Sequence, residues 1–129
     1  MAREETEDLL RDLGVKILYE RVGEPGSLTG ERNHACFRLK QSVGGGTCCA
    51  GGSLDYTLPS GAALSHKTDI LVSLASGKHV AVELVCLSSV TDHFKARSYD
   101  MLHLKQSHGD NLTGIMMYMH QTKRRTRTK

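Results

Sequence analysis

Between residues 4 and 22 apolar positions recur at three- and four-residue spacing (Leu9, Leu10, Leu13, Ile17, Leu18), with acidic residues early and Lys16 and Arg21 late. This predicts an amphipathic helix whose end charges suit its dipole. Gly14 weakens that helix by about 1 kcal/mol relative to alanine, and Gly23, Pro25 and Gly26 end it. From Gly26 to Gly61 the pattern is irregular. Cys36–Lys40 alternates apolar and polar as a half-buried strand does, and Gly44-Gly45-Gly46 breaks it. Gly51-Gly52 breaks the next short apolar piece, and Ser53–Leu58 alternates again up to the turn Pro59-Ser60-Gly61.

The second half is better patterned. Thr68–Leu74 reads as a strand, Ser76-Gly77-Lys78 as a turn, and His79–Leu87 as a strand of near-continuous apolar character, covered on both faces. The two form a hairpin at the centre of a sheet. Ser89 or Thr91 caps a helix running to about Gln106, with Asp92 well placed in its first turn. Phe94, Met101, Leu104 and Lys105 share one side of it, and His93, Arg97 and Asp100 form a polar stripe. Gly109-Asp110-Asn111 stops the helix, and Thr113–His120 is a last apolar strand. The expected order is helix, short strands, hairpin, helix, strand.

At 129 residues the chain fits one domain. Its 39% hydrophobic and 24% charged residues are not those of a disordered chain. No apolar run approaches the roughly 20 residues needed to cross a bilayer, so no membrane partner is expected. The charged opening Met-Ala-Arg-Glu-Glu-Thr-Glu-Asp leads into no apolar segment of a secretory signal, which points inside the cell.

The net charge of +3 is unevenly placed: Lys123, Arg124, Arg125, Arg127 and Lys129 crowd the last seven residues. Without those five, twelve basic residues face fourteen acidic ones, a balance of −2. We therefore divide the chain into a domain over residues 1–120 and a basic tail over 121–129. Such a tail binds phosphate backbones or serves as a nuclear import address; a solvated terminus is the plainer alternative. With six aromatic residues and no tryptophan, base stacking on single strands has little support.

Cys36, Cys48, Cys49 and Cys86 lack the spacing of zinc ligands. Cys86 sits in an apolar run and reads as a small buried hydrophobe. Free thiols in a reducing compartment are the expectation, with neither a structural zinc nor a disulfide framework.

Two carboxylates stand out. Glu83 interrupts the most apolar segment of the chain, where an isolated anion costs several kcal/mol unless paired or bound to a cation. Asp69 begins the strand expected to pair with it. A turn centred near residue 77 brings both toward one end of adjacent strands, with a small offset, a site for a hard dication such as Mg²⁺ or Mn²⁺. The competing reading is structural: Glu83 pairs with a helix cation such as Arg97 or Lys95, and Asp69 caps a turn. The two readings differ in outcome. An unpaired Glu83 has a raised pKa, and Glu83→Gln then stabilises the metal-free fold; a structural ion pair loses stability instead.

The block His66-Lys67-Thr68-Asp69-Ile70, followed by Val82-Glu83-Leu84-Val85, resembles the acidic motifs of the PD-(D/E)xK nuclease superfamily. That resemblance implies an α/β, restriction-endonuclease-like core, a central mixed sheet flanked by helices. It implies metal-dependent phosphodiester hydrolysis of DNA or RNA, with Asp69 and Glu83 on the metal. The family lysine two residues after the second acid is replaced by Val85; some members move that cation to the following helix, where Lys95 is the candidate. A glutamate on the first helix often joins the metal in this family, and Glu20 is its counterpart. Val80–Val85 followed by Asp92-His93-Phe94-Lys95-Ala96-Arg97-Ser98-Tyr99 is also similar to the nuclease-like domain of Crinkler-type effectors, which adds His93 and Arg97 to the site. A fold that has lost catalysis and binds nucleic acid or a protein partner is the alternative; a homodimer is an open assembly.

Overall fold

The computed structural model describes residues 3–29, 35–87 and 91–120, with side chains at 8–29, 35–85 and 95–118. The elements are α1 (Arg3–Val22), β1 (Cys36–Arg38), β2 (Gly46–Ala50), β3 (Ser53–Thr57), β4 (Ala63–Lys67), β5 (Ile70–Leu74), β6 (His79–Leu87), α2 (Thr91–His108) and β7 (Leu112–His120). Five strands form one mixed sheet in the order β1-β2-β5-β6-β7, and β3-β4 is a separate two-stranded sheet. All neighbours in the large sheet are antiparallel except β6 and β7, which run parallel and are joined by α2. The mixed α/β architecture with a sheet flanked by helices is thus observed. None of the described helices is long and apolar enough to cross a membrane.

Several elements depart from the sequence reading. The apolar piece after the triple glycine is a full strand, β2, lying inside the sheet between β1 and β5. Gly46 makes this possible: its φ is +108°, and a Cβ there would lie 2.0 Å from the Ser73 carbonyl oxygen, so the backbones meet where no side chain fits. β4 is likewise unforeseen, because its residues are mostly exposed and carry no clear apolar alternation. It forms by pairing with β3, and that hairpin is pinned to α2: Ser107 Oγ accepts from Thr57 N at 2.8 Å, and His108 Nε2 donates to the Asp55 carbonyl at 2.7 Å. β5 starts at Ile70 rather than Thr68, since the buried Thr68 turns the chain from β4 into β5 and bonds Gly52 O through both N and Oγ1.

The cysteine expectation is corrected as well. Cys36 and Cys49 stand opposite each other in the β1–β2 register, with Cα atoms 4.1 Å apart, and form a disulfide. Only the pairing of β1 with β2 makes them neighbours. Cys48 is free and buried, and burial pushes its thiol up to about 12. Cys86 has no described side chain.

One core lies between α1 and the sheet and includes Val15, Phe37, Leu39, Ile70 and Leu84. The other lies between the opposite face, α2 and the β3–β4 hairpin, around Leu54, Leu71, Ala81, Leu104 and Leu112. Residues 81–85 of β6 are buried throughout, as a central strand covered on both sides requires. The α1 stripe is split: Leu10 and Leu18 pack on the first core, whereas Leu9, Leu13 and Ile17 stay exposed. Gly14 lets the helix approach β5, since a Cβ there would lie 3.0 Å from Ile70 Cδ1.

Candidate active site on the α2 face of the sheet

Side chains alternate across a strand, so Glu83 shares its face with Ala81, and Asp69 shares its face with Leu71. Both belong to the α2 side of the sheet. The hairpin register pairs Ile70 with Val82, and one further step sets Asp69 opposite Glu83. The offset expected from the turn position is absent.

Three other elements converge here. From α2, Arg97 Nη1 hydrogen-bonds to Glu83 Oε2 and lies 3.3 Å from Asp69 Oδ2. From β4, His66 Nε2 lies 2.8 Å from Glu83 Oε1. A carboxylate only accepts, so this nitrogen carries the hydrogen. The other ring nitrogen of His66 is 3.7 Å from Asp100 Oδ2, at ion-pair distance. Asp69 Oδ2 also accepts from Leu84 N at 2.7 Å. Glu83 has 0% side-chain exposure, so burial is tolerated because each oxygen has a charged or chargeable donor. Arg97 is 28% exposed and links the buried acid to solvent.

The electrostatics follow from that packing. Asp69 is pushed up to about 6, first by burial and further by the Glu83 charge, against the opposing pull of Leu84 N–H and Arg97. His66 is raised above its ordinary value, chiefly by its hydrogen bond to Glu83, with burial acting against it. Among the described residues, three carboxylates (Asp69, Glu83, Asp100) therefore share one permanent cation, Arg97, and one titratable one, His66.

Of the residues expected at the site, Asp69, Glu83 and Arg97 are brought together. Lys95 is exposed on α2. Glu20 is exposed on α1, which packs against the opposite sheet face from Glu83. The side chain of His93 lies outside the described residues, as do Ser89, the side chains of Thr91, Asp92 and Phe94, and the tail. Val85, two residues after Glu83, is buried. The sequence reading missed His66 because β4 was not read as a strand. Its only signal was position, three residues before Asp69.

Among the described residues no group of three or more His, Cys, Asp and Glu side chains is arranged as a metal cage. Mg²⁺ keeps several waters and takes one or two protein carboxylates plus phosphate oxygens. Asp69 and Glu83 already converge on a single cationic nitrogen, that of Arg97. No family model, curated protein or solved structure matches the chain.

Proposed function

We propose that this chain is a nuclease-fold domain of the PD-(D/E)xK type that hydrolyses phosphodiester bonds of DNA or RNA. The observation that carries the reading is the meeting of Asp69 and Glu83, one from each arm of the central hairpin, on one cation. A Mg²⁺ or Mn²⁺ ion held by these two carboxylates would supply a Lewis acid and an acidified water. The protein's own groups have separate tasks. His66 holds Glu83 from behind through Oε1, which fixes the carboxylate's orientation. Arg97 hydrogen-bonds both acids and offsets part of their charge, and a guanidinium is matched to a phosphodiester as well as to a carboxylate. Its partial exposure allows that exchange of partners. Lys95, on the same helix, is the remaining candidate for the missing lysine, and residues 123–129 add phosphate affinity.

A second reading has its own observation. Val85 is buried where the lysine belongs, and Glu83 is fully covered by Arg97 and His66. On that basis the domain binds nucleic acid or a protein partner without cutting.

The test is a cleavage assay on plasmid and RNA with Mg²⁺ or Mn²⁺, run beside Asp69→Asn and Glu83→Gln. Metal-dependent cutting that both variants abolish while remaining folded supports hydrolysis. Retained binding, insensitive to chelator and without cutting, selects the second reading. Binding that disappears on removal of residues 123–129 assigns the affinity to the tail alone.

A further inference from the structure

The two edges of the large sheet are treated very differently. β1 is three residues long, and its outer side is covered: Thr29 and Cys36 exchange both backbone hydrogen bonds, at 2.8 and 2.9 Å. β7 is nine residues long, and its only partner among the described residues is β6. Nine residues at about 3.3 Å each present an open ladder roughly 30 Å long. Its sequence, Leu-Thr-Gly-Ile-Met-Met-Tyr-Met-His, holds no proline, lysine, arginine or acid, the residues that ordinarily block edge pairing.

An apolar groove adjoins this edge on the α1 face. It has a volume of about 410 Å³ and is lined by aliphatic residues that include Leu13, Ile17, Ile115 and Met117. Those four are between 42% and 53% exposed. Among the described residues, backbone and side chains are thus left uncovered at the same place.

We infer that β7 is a self-association edge, pairing antiparallel with β7 of a second copy to give a two-fold dimer with a continuous ten-stranded sheet. Pairing centred on Met116 is self-complementary: Ile115 of one copy stands beside Met117 of the other, and the reverse, so an isologous contact closes. Both pairs fall on the α1 face, so the two grooves join along the seam. Charge selects this arrangement over the parallel one. Each chain carries five positive residues shortly after His120, and antiparallel pairing sends the two sets to opposite ends of the seam. The dimer leaves Asp69, Glu83 and Arg97, which belong to the other sheet face, out of the seam, so it stands or falls independently of the catalytic reading.

The experiment is sedimentation or light-scattering mass across micromolar to millimolar protein, with Met117→Lys and, as a control, Leu64→Lys on β4. The expected result is a wild-type mass of twice 14.2 kDa, or 28.4 kDa, kept by Leu64→Lys. Met117→Lys is expected to give the monomer with unchanged circular dichroism. Amide exchange supplies a second measurement, in which β7 amides become more protected as concentration rises. A wild-type protein that stays monomeric throughout overturns the dimer and leaves the groove to a partner of other chemistry. A dimer unmoved by Met117→Lys, or β7 exchange independent of concentration, overturns the proposed seam.

Discussion

His66 Nε2 and Glu83 Oε1 lie 2.8 Å apart although 17 residues separate them in the chain. This contact joins the small β3–β4 sheet to the central strand of the large one. It also changes what Glu83 is: a buried carboxylate gripped at one oxygen by an imidazole and at the other by a guanidinium. The consequences can be measured.

Glu83→Gln is expected to destabilise the metal-free protein at neutral pH. Removing one partner of a buried charge pair typically costs about 3–5 kcal/mol, and the glutamine keeps the shape, so a loss at the low end of that range follows. Urea unfolding without metal reads it directly. A gain in stability would mean that His66 and Arg97 do not compensate the anion, as for an unpaired ligand.

The pH dependence has a definite sign. Asp69 titrates near 6 in the fold against an ordinary 3.8, so the folded state holds its proton more tightly than the unfolded one. Its contribution to stability therefore grows as pH falls through 6 toward 4. His66 is raised above 6.5, so its contribution is complete below that value and is lost as pH rises through its folded pKa. Both groups favour the acid side, and Tm is expected to increase between pH 7.5 and about 5. Asp69→Asn should flatten the part of this rise that lies below pH 6. A Tm that falls steadily over the same range contradicts the packing of both groups.

Arg97→Gln removes the only permanent cation among the described groups that contact the two acids. A hydrogen bond to a charged group contributes about 1.5–3 kcal/mol, and partial exposure of Arg97 places the expected loss near the lower figure. Mn²⁺ should raise the Tm of this variant more than that of wild type, because the cation then relieves the repulsion that Arg97 relieved. An equal Tm shift in both proteins would show that the carboxylates do not share a cation position.

Reduction of Cys36–Cys49 opens a loop of 13 residues' separation. Loops of this length account for about 3 kcal/mol in the chain-entropy description, so dithiothreitol or Cys49→Ser is expected to lower stability by about 2–3 kcal/mol. Cys48 should remain unalkylated in the native protein, as a buried thiol pushed up to about 12 holds almost no thiolate. Urea unfolding with and without dithiothreitol tests the first statement, and mass mapping after iodoacetamide tests the second. Rapid native labelling of Cys48 would contradict its burial.

The acids were legible before the fold was known, for two separable reasons. A charged residue inside an apolar run is conspicuous in any pattern, which singled out Glu83. A short turn sets the pairing register, and alternation sets the face, so Asp69 followed. Arg97 was legible as part of a stripe with Asp100 on α2, because helical spacing is also local. His66 was not, since β4 has too few apolar residues to announce a strand and exists by pairing with β3 and docking on α2.

Local order in this chain — the two helices, the β5–β6 hairpin, the final strand and the acid on the most buried one — follows from residue spacing alone, because burial on one side of a helix or strand imposes a period that needs no partner to be visible. Tertiary structure decided what depends on two distant segments meeting. It made β2 an interior strand, joined Cys36 to Cys49, turned Leu13 and Ile17 outward beside β7, and brought His66 to Glu83. Such contacts gain their energy only after the sheet has assembled, so they leave no periodic mark in the sequence that makes them.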